Sequence, residues 1–192
     1  HRIMTVASTS GRRVRRLCVL SMHTSPLAQP GSADAGGMNV YVRELATSLA
    51  QAGVVVRVYT RSGRDAPPGP VAVEPNLVVV SVRAGDPDLP KERLGSVVDE
   101  FVAGVEADVL ATGGTDAVHA NYWLSAVSFH TLGRVKSAHG DAEPAARTLA
   151  EQRVVDTADV LCAASQSDAA DLERHYAADP SRIVLVPPGV QH

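Results

Sequence analysis

One arrangement constrains this chain more than any other. The apolar run Leu17-Cys18-Val19-Leu20-Ser21-Met22 is followed by Gly36-Gly37, and then by a segment in which Val40, Val42, Leu45 and Leu49 recur near helical spacing. A buried strand that passes through a glycine-rich loop into a helix N-terminus can hold an anion. Glycine lets backbone approach the anion closely, and the N–H groups of the first helical turn have no partner within the helix. A plain turn before a helix leaves the same short pattern, so the rest of the chain has to decide between the two.

The rest alternates strand with helix. The first strand is expected over 17–22, and the loop after it, 23–34, carries Pro26, Pro30 and Gly31. Loops of that length in compact domains are usually functional. A helix over 38–52 stops at Gly53, a common residue just past a helix end. Val54-Val55-Val56-Arg57-Val58-Tyr59-Thr60 is nearly continuous in β-branching, which suits a parallel strand buried on both faces. Residues 71–73 and 77–82 form a hairpin or one interrupted strand. A helix over 91–111 presents Leu94, Val97, Val98, Phe101, Val102 and Val105 as its apolar face. Short strands follow at 117–120 and 127–130, then a helix over 143–157 and a strand over 160–163. Ser165 caps a helix reaching His175, and 183–186 is the last strand. Residues 1–11 read as a loose tail.

This order predicts an α/β, Rossmann-like doubly wound parallel sheet, with residues 1–15 as a tail and 16–192 as one domain. Ligands in such sheets sit outside the carboxyl ends of the strands. His23, Gly36-Gly37, Tyr122, His130 and Ser165 all fall at that predicted edge.

Composition narrows the function classes. With a net charge of −3 nothing argues for a nucleic-acid partner, and none is expected. The one basic cluster, Arg12, Arg13, Arg15 and Arg16, solvates the entry to the first strand, and a peripheral contact with an anionic membrane stays open for it. Cys18 and Cys162 lie inside apolar runs and read as buried free thiols of a reducing compartment. No Cys/His grouping has metal-ligand spacing, and no signal peptide or spanning segment is evident, so a cytoplasmic protein is expected.

A series of ordered motifs then carries a resemblance. It begins with His23-Thr24-Ser25-Pro26 and Gly36-Gly37-Met38-Asn39-Val40-Tyr41-Val42, and continues with Leu89-Pro90-Lys91-Glu92. His119-Ala120-Asn121-Tyr122-Trp123-Leu124-Ser125 and Phe129-His130-Thr131-Leu132-Gly133 follow. Arg147, Glu151-Gln152, Asp156-Thr157-Ala158-Asp159 and Val186-Pro187-Pro188-Gly189-Val190 complete the series. The pattern resembles retaining glycosyltransferases of the GT-B fold. The relatives nearest in pattern are the inositol-phosphate N-acetylglucosaminyltransferases of actinobacterial mycothiol synthesis, and sucrose-phosphate synthases are similar more loosely.

The resemblance implies that Gly36 and Gly37 approach a donor diphosphate, with Asn39 positioning donor or acceptor nearby. It places Lys91, Tyr122, Thr131 and Arg147 around an acceptor phosphate and His130 at the reacting sugar. Two cations and two hydroxyls suit a dianion through charge-assisted hydrogen bonds. It also implies a nucleotide-diphosphate sugar as donor, UDP-sugar favoured, with no metal and no other cofactor. Each position has a plainer reading. Lys91 fits a first-turn surface lysine, Arg147 a partner of Glu143 or Glu151 one helical turn away, Tyr122 and Trp123 a core cluster, and His130 a core histidine. His119 reads as structural.

Three departures from the family stand out. Between Ala126 and Val127 the relatives have a helix and connection that this chain lacks. A parallel crossover needs about a dozen residues, so a segment left out of the chain is the favoured reading. Asn121 stands where histidine is usual. The nucleotide-sugar domain that follows in GT-B enzymes lies outside the sequence, so the expectation is an N-terminal, acceptor-side half, inactive or nearly so alone, with its second domain in cis. A homodimer stays open. The rival reading is a non-catalytic module that binds a phosphorylated ligand. A nucleotide-binding dehydrogenase is disfavoured, because Gly36-Gly37 lacks the Gly-x-Gly-x-x-Gly spacing and no acidic residue closes the strand at Thr60.

Overall fold

The apolar runs become strands of one sheet in the computed structural model, which describes residues 4–8, 13–28, 37–64, 66–121 and 143–187. The strands are β1 (Met4–Ser8), β2 (Arg16–Leu20), β3 (Val55–Arg61), β4 (Gly69–Glu74), β5 (Leu77–Val82), β6 (Ala117–Asn121), β7 (Val160–Ala163) and β8 (Ile183–Leu185). Their spatial order is β4-β5-β3-β2-β6-β1-β7-β8. The helices are α1 (Gly37–Gln51), α2 (Val98–Ala111), α3 (Glu143–Thr157) and α4 (Gln166–Tyr176).

Neighbours β5-β3, β3-β2, β2-β6 and β7-β8 are parallel. Strand β4 is an edge strand folded back on β5 as a hairpin, the first of the two arrangements expected there. Strand β1 is the departure. The stretch read as a loose tail contains a strand, antiparallel to both β6 and β7, with Val6 opposite His119 on one side and Val160 on the other. It joins β7 and β8 to the rest of the sheet and satisfies backbone groups on two strands that would otherwise face an edge. The sheet is therefore mixed, although β6 and β7 still run in the same direction across β1.

Alternation along β2 explains the layers. Leu17 and Val19 pack with Val42, Ala46, Val56 and Val58, which puts α1 on one face. Cys18 and Leu20 pack with Tyr59, Phe101, Val102 and Val105, which puts α2 on the other. Both cysteines are free and buried. Helix α1 ends at Gly53, whose φ of +87° is left-handed and whose N–H bonds the Ala50 carbonyl at 3.0 Å.

Two helical details differ from or sharpen the expectation. The run over 91–111 divides into a 3-10 helix, Lys91–Val97, and then α2; Gly95 in its middle weakens α-helical propensity there. Ser165 does cap α4, its Oγ accepting from the Asp168 N–H at 3.1 Å. Among the described residues no helix is long and apolar enough to cross a membrane.

Candidate functional site

The carboxyl ends of β2, β3 and β5 are tied together beyond the last ladder residue. Ser21 N–H donates to the Tyr59 carbonyl (2.9 Å), Arg61 N–H to the Met22 carbonyl (3.0 Å) and Ser62 N–H to the Val82 carbonyl (2.8 Å). The turn after β2 is fixed from inside: the fully buried Ser21 donates its Oγ–H to the Thr24 carbonyl at 2.9 Å. His23 therefore leaves the sheet from a determined position.

Helix α1 starts beside this edge at Gly37, and the N–H groups of its first turn lack intrahelical acceptors. Asn39 is 4% exposed, and Val42 anchors the same helix in the core. Asn39 is thus a polar side chain buried within the first turn of a helix that opens at glycine.

The third component is the connection over 83–90, from β5 to the 3-10 helix that opens at Lys91. Arg61, last residue of β3, donates from Nε to the Ala84 carbonyl at 2.8 Å and from its terminal nitrogen to the Asp86 carbonyl. Gly85 N–H donates to Glu100 Oε2 at 2.7 Å from the first turn of α2. Asp88 N–H closes on Asp86 Oδ1 (2.9 Å), Leu89 N–H on the Asp86 carbonyl (3.0 Å), and Arg93 N–H on the Pro90 carbonyl (3.0 Å). Burial lowers the pKa of the Arg61 guanidinium, and Asp86 and Glu100 act in the opposite sense. The Arg64 guanidinium holds the Asp88 carboxyl below its ordinary range.

The structure thus brings Gly37, Asn39 and the backbone of Lys91 to one edge. Arg147 lies on α3, and at that position the structure describes the backbone. Gly36, Tyr122, His130 and Thr131 lie outside the described residues, as do Trp123 and the strand expected over 127–130. The sequence reading missed Ser21, Arg61 and Glu100. Arg61 left a faint signal, an arginine closing a strand whose preceding residues are mostly β-branched or aromatic. Its partners stand 23 and 25 residues away, beyond any local pattern.

His119, read as structural, fits that role. It is 6% exposed with Nε2 3.2 Å from Asn121 Oδ1, and burial pushes its pKa down to about 4. The opposite edge of the sheet holds the basic cluster's described members. Asp116 Oδ2 accepts the Arg15 and Arg16 N–H groups at 2.8 and 2.9 Å, and Arg16 reaches the Thr112 carbonyl at 2.8 Å. Arg57 pairs with Asp108, which also accepts from the Tyr59 hydroxyl at 2.8 Å. A cavity of about 110 Å³ sits there, lined by Arg16, Cys18, Arg57, Tyr59 and Thr115 among others. Desolvation pushes the Cys18 thiol up to about 12, so it stays protonated.

Comparison with known proteins bears on the family and the fold. The family model described as Glycosyltransferase Family 4 matches residues 35–192. A D-inositol 3-phosphate glycosyltransferase of Kineococcus radiotolerans is 44% identical over 199 residues, covering 92% of this chain and 46% of the relative. The corresponding protein of Pseudarthrobacter chlorophenolicus is 39% identical, covering 92% of this chain and 47% of its own. The chain spans about half the length of the curated relatives it matches. Since 92% of 192 residues is about 177, those 199 aligned positions include about 22 with no counterpart here. Among solved structures, the sucrose-phosphate synthase of Thermosynechococcus elongatus superposes with a TM-score of 0.78 at 26% identity, over 92% of this chain and 48% of that one.

Proposed function

For a chain that belongs to Glycosyltransferase Family 4 and has the Rossmann-like half of a GT-B fold, we propose the acceptor side of a retaining glycosyltransferase. The enzyme moves a sugar from a nucleotide-diphosphate donor, a UDP-sugar being favoured, to a hydroxyl of a small phosphorylated acceptor. The relatives' name, D-inositol 3-phosphate glycosyltransferase, makes an inositol phosphate the first acceptor to test.

The observation that supports this reading is that the α1 N-terminus, opened by Gly37, and the pinned loop leading into Lys91 both lie beyond the carboxyl ends of parallel strands, β2 and β5. The partial positive charge of a helix start suits a departing diphosphate. A lysine following a fixed loop at the same sheet edge suits an acceptor phosphate held at a distance from it. In this reading the acceptor attacks from the face the diphosphate leaves, chemistry that depends on positioning and electrostatic stabilisation rather than on a protein nucleophile. In this reading Gly36 and Asn39 assist at the donor, Tyr122, Thr131 and Arg147 complete the acceptor phosphate site, and His130 faces the reacting sugar. A second domain in cis supplies most of the nucleotide-sugar contacts, and transfer needs both halves.

The test is a pair of ligands that differ by one phosphate. Replacing Lys91 and Arg147 together by Ala should weaken D-inositol 3-phosphate by roughly a hundredfold, on the scale of two charge-assisted contacts, and leave unphosphorylated inositol nearly unchanged. Equal losses for both ligands, read by titration calorimetry, would overturn the phosphate assignment.

A further inference from the structure

The loop over 83–90 is gripped from two sides by ionic groups that the proposed chemistry does not itself use. From the strand side, Arg61 bonds the Ala84 and Asp86 carbonyls through its guanidinium, while its own N–H holds the Met22 carbonyl. One residue therefore ties the turn carrying His23 to the loop that ends at Lys91. From the helix side, Glu100 accepts the Gly85 N–H at 2.7 Å. Gly85 sits at φ +64°, and a Cβ there would lie 2.6 Å from Val97 Cγ1, so the loop is pressed against the start of α2 with no room for a side chain. A cation on the carbonyls and a carboxylate on the amide complement the loop's backbone dipoles, and Glu100 in the first turn of α2 also suits that helix's dipole.

We infer that Arg61 and Glu100 are positioning residues for phosphate recognition, setting the backbone from which the Lys91 side chain departs. The inference rests on the reading of Lys91 as an acceptor-phosphate ligand. A flexible lysine recognises a phosphate as a point charge, so its selectivity depends on where its stem begins. Shifts of about 1 Å in a supporting element are enough to cost a tenfold to hundredfold effect. Neither residue needs to touch the ligand. Their work is to make the loop one conformation instead of many, and to hold it at the same edge as the α1 N-terminus.

The experiment measures the ratio of affinities for D-inositol 3-phosphate and inositol in the 192-residue chain, by titration calorimetry. Arg61→Met and Glu100→Ala should each lower the ratio roughly tenfold, with inositol affinity unchanged. Arg61→Lys, which retains a cationic donor, and Glu100→Gln, which retains an acceptor for the Gly85 N–H, should each recover most of it. Lys91→Ala serves as the reference. A ratio lost in Lys91→Ala but kept in both Arg61→Met and Glu100→Ala overturns the positioning role and leaves the acceptor reading standing. A ratio unchanged in Lys91→Ala overturns the acceptor reading itself. If Arg61→Met does not fold, the Glu100 pair decides alone, because the Glu100 side chain is exposed and its hydrogen bond to the Gly85 N–H lies at the surface.

Discussion

The two ends of the sheet use the same residue type for opposite ends. At the amino edge, Arg57 is held by Asp108, with Nε at 2.9 Å from Oδ2, and Tyr59 shares the same carboxylate. Cation, anion and hydroxyl satisfy one another, and the result is a closed local structure above the buried Cys18. At the carboxyl edge, Arg61 is spent on main-chain carbonyls of a connection, and the nearby carboxylate of Glu100 is spent on a main-chain N–H. There the ionic groups order a loop. The contrast teaches that a charged side chain on a strand signals function less by its charge than by what satisfies it. Side-chain partners close a core, and backbone partners place a segment.

Both edges depend on α2, which carries Glu100 near its start and Asp108 near its end. Phe101, fully buried between them, is the residue through which the comparison is broken most severely. Phe101→Ala should cost about 3–5 kcal/mol in urea denaturation. Amide protection should then fall together at Gly85 and Arg57. Protection lost at one edge and kept at the other would show that the two are not carried by one helix.

Asp108→Ala separates the edges instead. It leaves the half-buried Arg57 guanidinium and the Tyr59 hydroxyl without their shared acceptor, which should cost about 1–3 kcal/mol. Binding of D-inositol 3-phosphate should be unaffected when measured below the unfolding transition. A loss of binding in this variant, with stability intact, would reverse the roles assigned to the two edges.

Much of this architecture is legible in the sequence, and the exceptions have physical reasons. The continuous β-branching of Val54-Val55-Val56 and the apolar run Leu17-Cys18-Val19-Leu20 state buried parallel strands, and Gly36-Gly37 before a periodic segment states a helix start. Strand β1 is illegible because Met4–Ser8 has no sustained apolar run and its place is set by two distant partners, β6 and β7. The candidate site divides in the same way. Gly37, Asn39 and Lys91 enter through motif order, on which the resemblance rests. Arg61 and Glu100 act through backbone groups of other segments, and no spacing within their own segments reports such bonds; Ser21 bonds Thr24 in its own turn, but a serine after an apolar run carries no mark of it.

Between the edges, His119 offers the smallest and most selective test. It lies in mid-strand on β6 with its ring buried, and among the described residues it pairs with Asn121, whose Oδ1 is 3.2 Å from Nε2. Burial depresses its folded-state pKa to about 4, below the ordinary value of 6.5. A depressed histidine contributes stability that is fully present above pH 6.5, where both folded and unfolded chains hold it neutral. As pH falls below 6.5 the unfolded chain takes up the proton and the folded chain does not, so that stability is lost down to about pH 4. The slope can reach about 1.4 kcal/mol per pH unit. His119→Gln retains a donor toward Asn121 and does not titrate. The stability difference between the parent chain and this variant should therefore be flat from pH 7.5 to 6.5 and should move by about 1 kcal/mol in the variant's favour by pH 5.5. A difference that stays constant across that range would mean that His119 is protonated alike in both states, and that the middle of the sheet is open enough to hydrate it.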